Sequence, residues 1–339
     1  MSSMIKLNYH SKLRTLFRKK LLKWYDRYGR DSLPWKVRDI YKIWISEIML
    51  QQTQVKTVIP YFEKFTKKFP TLKSLSKCEE RKILKLWEGL GYYRRARNLL
   101  ASAKLLVKEY NSKLPIEIKD IKKLPGVGDY TANALLGLVH NKPTIAVDGN
   151  VKRVFSRLLN KKESTINFER FIDENKKILF KNKRNSDLVE ALMEFGALIC
   201  KPKNPNCSMC TVINTCKYFK APNKIKNNKT KIIINKYYDI FCYVNKKKQI
   251  GLTKKNNVGF LNEFNLPQIK ERNSKIIKTD WKFLKTYKNS ISNLKLNINL
   301  YYKFSKKIPT SFSWYTMDKN NEFIPSFTKK IYKQVSILF

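Results

Sequence analysis

Two carboxylates and one cluster of thiols are the groups in this sequence best suited to chemistry. Glu47 stands in WISEIMLQQTQV, an acid followed by the uncharged Gln51, Gln52 and Gln54 in a chain where lysine fills most polar positions. Asp148 stands in VDGNVKRV, where it is placed to cap a helix carrying Val151, Val154 and Leu158 on one side. A carboxyl group can deliver a proton or, when ionised, stabilise a cation. The thiols Cys200, Cys207, Cys210 and Cys216 follow C-x6-C-x2-C-x5-C, while Cys78 and Cys242 stand alone. Four clustered thiols in a lysine-rich chain of cytosolic character read as metal ligands in preference to disulfides. Zinc or an iron–sulfur cluster would each accept four thiolates. None of the thiols is placed for nucleophilic work.

These groups need elements to hold them. Ile118, Ile121 and Leu124 give a short apolar helical face, and Pro125-Gly126-Val127-Gly128 must then turn tightly. A second helix starts near Asp129 with the register Ala132, Leu135, Leu136 and Leu138/Val139. Two helices around a glycine turn present backbone N–H groups to an anion such as a phosphate. Thr144–Val147 reads as a short extended run leading into Asp148. Leu22–Trp35 begins helical and is expected to stop at Leu33-Pro34. From Tyr41, the residues Trp44/Ile45, Ile48/Met49 and Val55 form one buried helical face, with Glu47, Gln51 and Gln54 on the other stripe. LWEGLGYYRRARNLL puts a glycine break before Tyr92-Tyr93 and then a basic helix with Arg94, Arg95 and Arg97, a combination that suits base stacking and phosphate contact.

At 339 residues the chain is long enough for two domains. Its net charge of +45, from 71 Lys+Arg against 26 Asp+Glu, points to a polyanionic partner. Part of that charge reflects a Lys, Asn and Ile bias that runs through the whole chain. No apolar run reaches the roughly 18 residues of a membrane span, and no signal-type apolar segment follows the start, so no membrane partner and a cytoplasmic address are expected. The acid-poor KYFKAPNKIKNNKTKIIINK reads as a linker, which gives domains at 1–217 and 237–339 joined by 218–236. Beyond it, Tyr238–Val244, Ile250–Thr253 and Leu296–Phe304 read as strands.

LPGVGDYTANA followed by VDGNVKRV resembles the helix-hairpin-helix and Gly/Pro-Asp signature of the base-excision DNA glycosylases. WISEIMLQQTQV is similar to the segment that carries the catalytic glutamate in the A/G-specific adenine glycosylases (MutY family), and the cysteine spacing is similar to the [4Fe–4S] loop closing their glycosylase domain. The resemblance implies a mainly α N-terminal part, a helix-hairpin-helix glycosylase with an iron–sulfur loop, plus a smaller α/β Nudix-like C-terminal domain. It implies hydrolytic removal of adenine mispaired with 8-oxoguanine or guanine in double-stranded DNA by a monomeric enzyme. Glu47 would then be the general acid and Asp148 the stabiliser of the sugar cation, with Tyr130 and Asn150 orienting them. Gln52, Tyr92, Gly126, Val127, Gly128 and Ser292 would contact DNA, Gln52 and Tyr92 as wedges. Cys200, Cys207, Cys210 and Cys216 would hold one [4Fe–4S] cluster.

Other readings remain: an endonuclease III-like glycosylase/lyase for oxidised pyrimidines, or a non-catalytic iron–sulfur DNA-binding protein. Tyr130 stands where the lyase has a Schiff-base lysine. The C-terminal part departs further from the family. Gly259–Phe264 replaces a Gly/Trp-rich turn, no acidic Nudix hydrolase helix is found, and Ile291-Ser292-Asn293 stands where relatives carry Phe-Ser-His.

Overall fold

The computed structural model describes residues 11–37, 39–181, 183–221, 233–256, 258–261, 264–272, 280–291, 293–316 and 324–339. The chain forms two compact units, Met1–Asn228 and Lys229–Phe339. The described part of the first is helical: α1 Ser11–Tyr28, α2 Ile40–Leu50, α3 Val55–Lys68, α4 Leu72–Ser76, α5 Glu80–Leu86, α6 Arg94–Glu109, α7 Ile118–Ile121, α8 Asp129–Leu138, α9 Gly149–Leu159, α10 Phe168–Glu174, α11 Lys176–Leu179, α12 Asn185–Leu198 and α13 Lys217–Lys220. One core lies where α1, α9 and α12 meet, with Leu21, Trp24, Val151, Phe155, Leu188, Leu192 and Phe195 buried together. Among the described residues no helix is long and apolar enough to cross a membrane.

Four local expectations are corrected. The first helix ends at Tyr28, with Gly29 closing onto the Tyr25 carbonyl at 2.8 Å, well before Pro34. The apolar run after Tyr41 breaks at Gln51, so Val55 opens a separate helix and Gln51 and Gln54 cap helix ends instead of sharing a stripe with Glu47. Thr144–Val147 is irregular chain that joins no strand. Within the stretch read as a linker, Lys217–Lys220 is helical and a strand has begun by Ile234.

The second unit is a mixed sheet of β1 Ile234–Val244, β2 Ile250–Leu252, β3 Gln268–Glu271, β4 Lys282–Ile291, β5 Leu294–Phe304 and β6 Ser313–Tyr315, followed by α14 Ser326–Val335. The order is β4-β5-β1-β2-β6, and β3 also pairs with β1. β1 and β5 run parallel with Ile240 opposite Leu300, while β4 and β5 form an antiparallel hairpin. Alternation puts Tyr238, Ile240, Cys242, Leu296, Ile298 and Leu300 on one face, where Phe327, Ile331 and Val335 cover them.

Candidate active site

Glu47 lies in the middle of α2. A capped start, Asp39 accepting from the N–H groups of Tyr41 and Lys42, fixes where that helix begins, and its far end is clamped from outside. The clamp is Arg95, whose guanidinium donates to the carbonyls of Met49 at 2.7 Å and Gln51 at 2.6 Å and to the Thr53 hydroxyl at 3.1 Å. Arg95 is buried, so its expected phosphate role gives way to a structural one: it satisfies carbonyls that the helix end leaves without partners. Arg97 is likewise engaged, 2.7 Å from Glu80. Gln52 and Tyr92 both adopt left-handed backbone, at φ 57° and 50°, and both side chains are exposed. Non-glycine residues held there mark positions that the surroundings over-determine.

The hairpin forms as expected, between α7 and α8. Gly126 takes φ +78°, and a Cβ there would stand 2.6 Å from the Asn98 amide, so glycine answers both a backbone and a space requirement. No side chain caps the start of α8, where Gly128 is the capping position. Gly126 and Gly128 are not buried, whereas the Val127 side chain is buried at 8%, which leaves only its backbone for DNA.

Asp148 caps α9, accepting from the Val151 N–H at 2.7 Å and the Asn150 amide at 2.8 Å. Asn150 accepts in turn from Arg153 at 2.7 Å, and the same guanidinium donates to the carbonyls of Gly196 and Cys200, each at 2.6 Å. This approach needs Gly196: a Cβ there would meet the Asn150 Cβ at 2.5 Å.

Glu47, Tyr130, Asp148 and Asn150 line one cleft of about 260 Å³. Glu47 is 7% exposed; burial, with the charges of Glu190 and Asp148, pushes its carboxyl up to about 7, against a hydrogen bond from Tyr130 that favours the anion. Burial also raises Asp148, but the N–H of Val151 and the amide of Asn150 pull it back. Two further acids face the cleft that the sequence reading did not single out. Glu190 accepts from the Tyr25 hydroxyl and lies 3.9 Å from Lys36; Glu194 accepts from the Arg30 backbone N–H at 2.8 Å. The signal was present: VEALMEFGALIC carries acids four residues apart on an apolar helix in a chain poor in acids.

The four cysteines are free thiols, each partly buried. Short turns at Cys207–Met209 and Ile213–Thr215 shape their loop, and Arg157 donates to the Cys200 sulfur at 3.3 Å. Burial, reinforced by Cys216, Cys200 and Cys207, pushes the Cys210 thiol up to about 11. The sulfurs thus share one environment, yet among the described residues no three His, Cys, Asp or Glu side chains are gathered to hold a metal ion. Ser292 lies outside the described residues.

Residues 45–177 match the family model of the HhH-GPD superfamily base excision DNA repair proteins, the class that the hairpin and the capping aspartate define. An adenine DNA glycosylase from Buchnera aphidicola subsp. Baizongia pistaciae (strain Bp) is 40% identical over 315 residues, covering 86% of this chain and 87% of the relative. Another, from Buchnera aphidicola subsp. Acyrthosiphon pisum (strain APS), is 35% identical over 304 residues and covers 86% and 83%. A solved thermostable thymine-DNA glycosylase superposes with a TM-score of 0.56 at 31% identity, covering 62% of this chain and 97% of that one. The chain belongs to the adenine DNA glycosylases and is a base-excision repair enzyme.

Proposed function

We propose that this glycosylase removes adenine paired with 8-oxoguanine or guanine in duplex DNA, with Glu47 as general acid and Asp148 as the anionic stabiliser. The observation that carries the reading is the meeting of these two carboxylates in one cleft under different local conditions. A base inside a duplex is out of reach, so the nucleotide is flipped out at a cost of a few kcal/mol, which wedging by Gln52 and Tyr92 and phosphate contacts at the Gly126–Gly128 turn offset. Glu47 gives its proton to adenine N7. The bond between the sugar and the base then breaks, and its electron pair leaves with adenine. Asp148 stabilises the sugar cation until water adds, which yields an abasic site. Tyr130 and Asn150 hold the carboxylates, and Glu190, the acid beside Lys36, is suited to accept from the adenine amine.

Cys200, Cys207, Cys210 and Cys216 are proposed to hold one [4Fe–4S] cluster. Four partly buried thiols in the C-x6-C-x2-C-x5-C spacing of one loop, with Arg157 donating to the Cys200 sulfur, support that reading. When bound, the cluster would serve as a template for the loop, with Lys201, Lys203 and Lys217 presenting charge to DNA. The second unit is proposed to be a Nudix-like domain that inspects the opposite base.

Single-turnover release of adenine from duplexes with A opposite 8-oxoguanine, G or T tests the function. Fast release from the first two supports it; equal release from all three, or none, overturns it. Borohydride trapping on abasic DNA tests the lyase alternative. Tyr130 offers no amine, and the Lys152 ammonium sits 5.9 Å from the Phe168 ring centroid. Iron and sulfide in anaerobically purified protein, lost in Cys207→Ser, test the cluster; stoichiometric zinc would refute it.

A further inference from the structure

Among the described residues, the sheet of the second unit carries a helix on one face only. The opposite face is aromatic. Tyr237, Phe241 and Tyr243 alternate along β1, and the registers set Tyr301 of β5 against Phe241 and Phe283 of β4 against Tyr301. Phe241 stacks on Tyr301 with centroids 5.2 Å apart and an interplanar angle of 17°, and Phe283 meets Tyr301 edge-on at 5.6 Å. Part of this row is buried packing: Phe241 is 3% exposed beneath Trp281. Its two ends are not, with Phe283 at 55% and Tyr237 at 51%. Between them the face offers the short polar side chains of Thr286, Asn297 and Asn299, which leave a flat surface.

Cations frame those rings. Arg272 lies 5.7 Å from the Tyr237 ring centroid and Lys270 5.8 Å from that of Phe241, while Lys288 and Lys295 are exposed on the same face. Its acid in β1, Asp239, is buried and 3.3 Å from Arg272. From Lys229 to Phe339 there are 23 Lys and Arg against 6 Asp and Glu, so a second copy of this surface would be repelled. The face therefore suits a negative partner that also presents flat rings. A duplex presents its charge but keeps its ring faces stacked; an unpaired strand presents both.

We propose that this sheet face binds single-stranded nucleic acid, with bases stacking on Phe283 and Tyr237 and phosphates lying against Lys270, Arg272, Lys288 and Lys295. Stacking is tolerant of sequence, so the site follows the strand's single-strandedness and not its bases. It belongs to the second unit and the adenine cleft to the first, so its test does not depend on adenine release.

The test is fluorescence anisotropy of the full chain with a labelled oligothymidylate of about 16 nucleotides, with an abasic oligomer of equal length and with a duplex. The natural protein is expected to bind the oligothymidylate more tightly than the abasic strand, and Tyr237→Ala/Phe283→Ala to lose about tenfold in that affinity while its abasic-strand affinity stays unchanged. Tyr237→Trp/Phe283→Tyr should restore binding, which separates stacking from a folding defect, and ultraviolet cross-links to thymine should map to β1 and β4. Equal binding of base-bearing and abasic strands, a double Ala variant of unchanged circular dichroism that binds as well as the natural protein, or cross-links confined to the first unit would overturn the proposal. So would sedimentation showing a dimer that the double Ala substitution dissolves, since the face would then be an interface between copies.

Discussion

Replacing Glu47 by Gln keeps the size of the side chain and removes the titration, so it separates proton delivery from packing. Burial moves this carboxyl from an ordinary 4.5 to about 7. Ionising it therefore costs about 3 kcal/mol more in the folded protein than in the unfolded chain. The folded-state value is the higher one. The stability held by the neutral form is thus fully present below the unfolded value near 4.5 and is lost as pH rises through about 7. The amide of the variant has nothing to ionise, so denaturant melts should show Glu47→Gln gaining about 3 kcal/mol relative to the natural protein between about pH 4 and pH 8. Catalysis should move the other way: the natural single-turnover rate declines above about pH 7 as the acid form is depleted, and Glu47→Gln is slower by about a hundredfold or more at every pH. A natural rate that is flat across this range with chemistry limiting, together with a variant of near-normal rate, would refute the general-acid role. A pH-independent stability difference would refute the claim that burial sets the titration.

Asp148→Asn should release no measurable adenine yet bind duplex as before: the amide oxygen can still accept from Val151, so the cap survives while the charge is gone, as gel-shift and single-turnover assays would show. Arg153→Ala deletes donors to Asn150, Gly196 and Cys200 at once and should cost about 2–4 kcal/mol in denaturant melts and slow adenine release through the loosened Asn150; an unchanged melting curve and rate would remove its positioning role. In the second unit, Ile291 packs against the core, so Ile291→Phe would crowd that packing and confound a test of this turn. Asn293→His alone should therefore widen the margin between A opposite 8-oxoguanine and A opposite guanine by severalfold, the worth of about one hydrogen bond, in paired single-turnover rates; an unchanged margin would mean that this turn does not read the lesion.

The hairpin and the capping aspartate were legible because glycine and N-cap chemistry are local: Gly126 must be glycine for its own φ, and Asp148 finds Val151 three residues on. Periodicity also located α8 and α9 closely. It misled at Gln51, where polar and apolar spacing runs on through a break that only the distant Arg95 explains. Arg95 itself shows the limit of reading charge from sequence. An arginine among arginines suggests phosphates, and only the fold reveals the carbonyls of α2 around it. Glu190 and Glu194 were visible as acids out of place, but their facing Glu47 depends on how α12 packs beside α8 and α9. In the second unit, β1 begins at Ile234 and not at the expected Tyr238, because the Lys- and Asn-rich stretch around Ile234 reads as a linker while its backbone pairs with Leu294.

The different behaviour of the two carboxylates follows from where each sits along its helix. Glu47 is mid-helix, where the neighbouring backbone N–H groups are already spent on the helix itself; burial, with the charges of Glu190 and Asp148, keeps its proton on up to about pH 7 even though the Tyr130 hydroxyl favours the anion. Asp148 occupies a helix start, where N–H groups are unspent and the helix dipole favours negative charge, and Asn150, held by Arg153, adds a further stabilising contact. Burial acts on both, but only one is answered by the backbone. The proposed division into acid and anion therefore follows from helix position and not from the choice of Glu or Asp. Exchanging the two residue types as Glu47→Asp/Asp148→Glu should change reach but leave the order of the two titrations as it is, with the group at 47 holding its proton to higher pH than the group at 148. Carboxyl titrations of the exchanged protein followed by NMR would check this, and a reversed order would show that residue type, and not helix position, divides the roles.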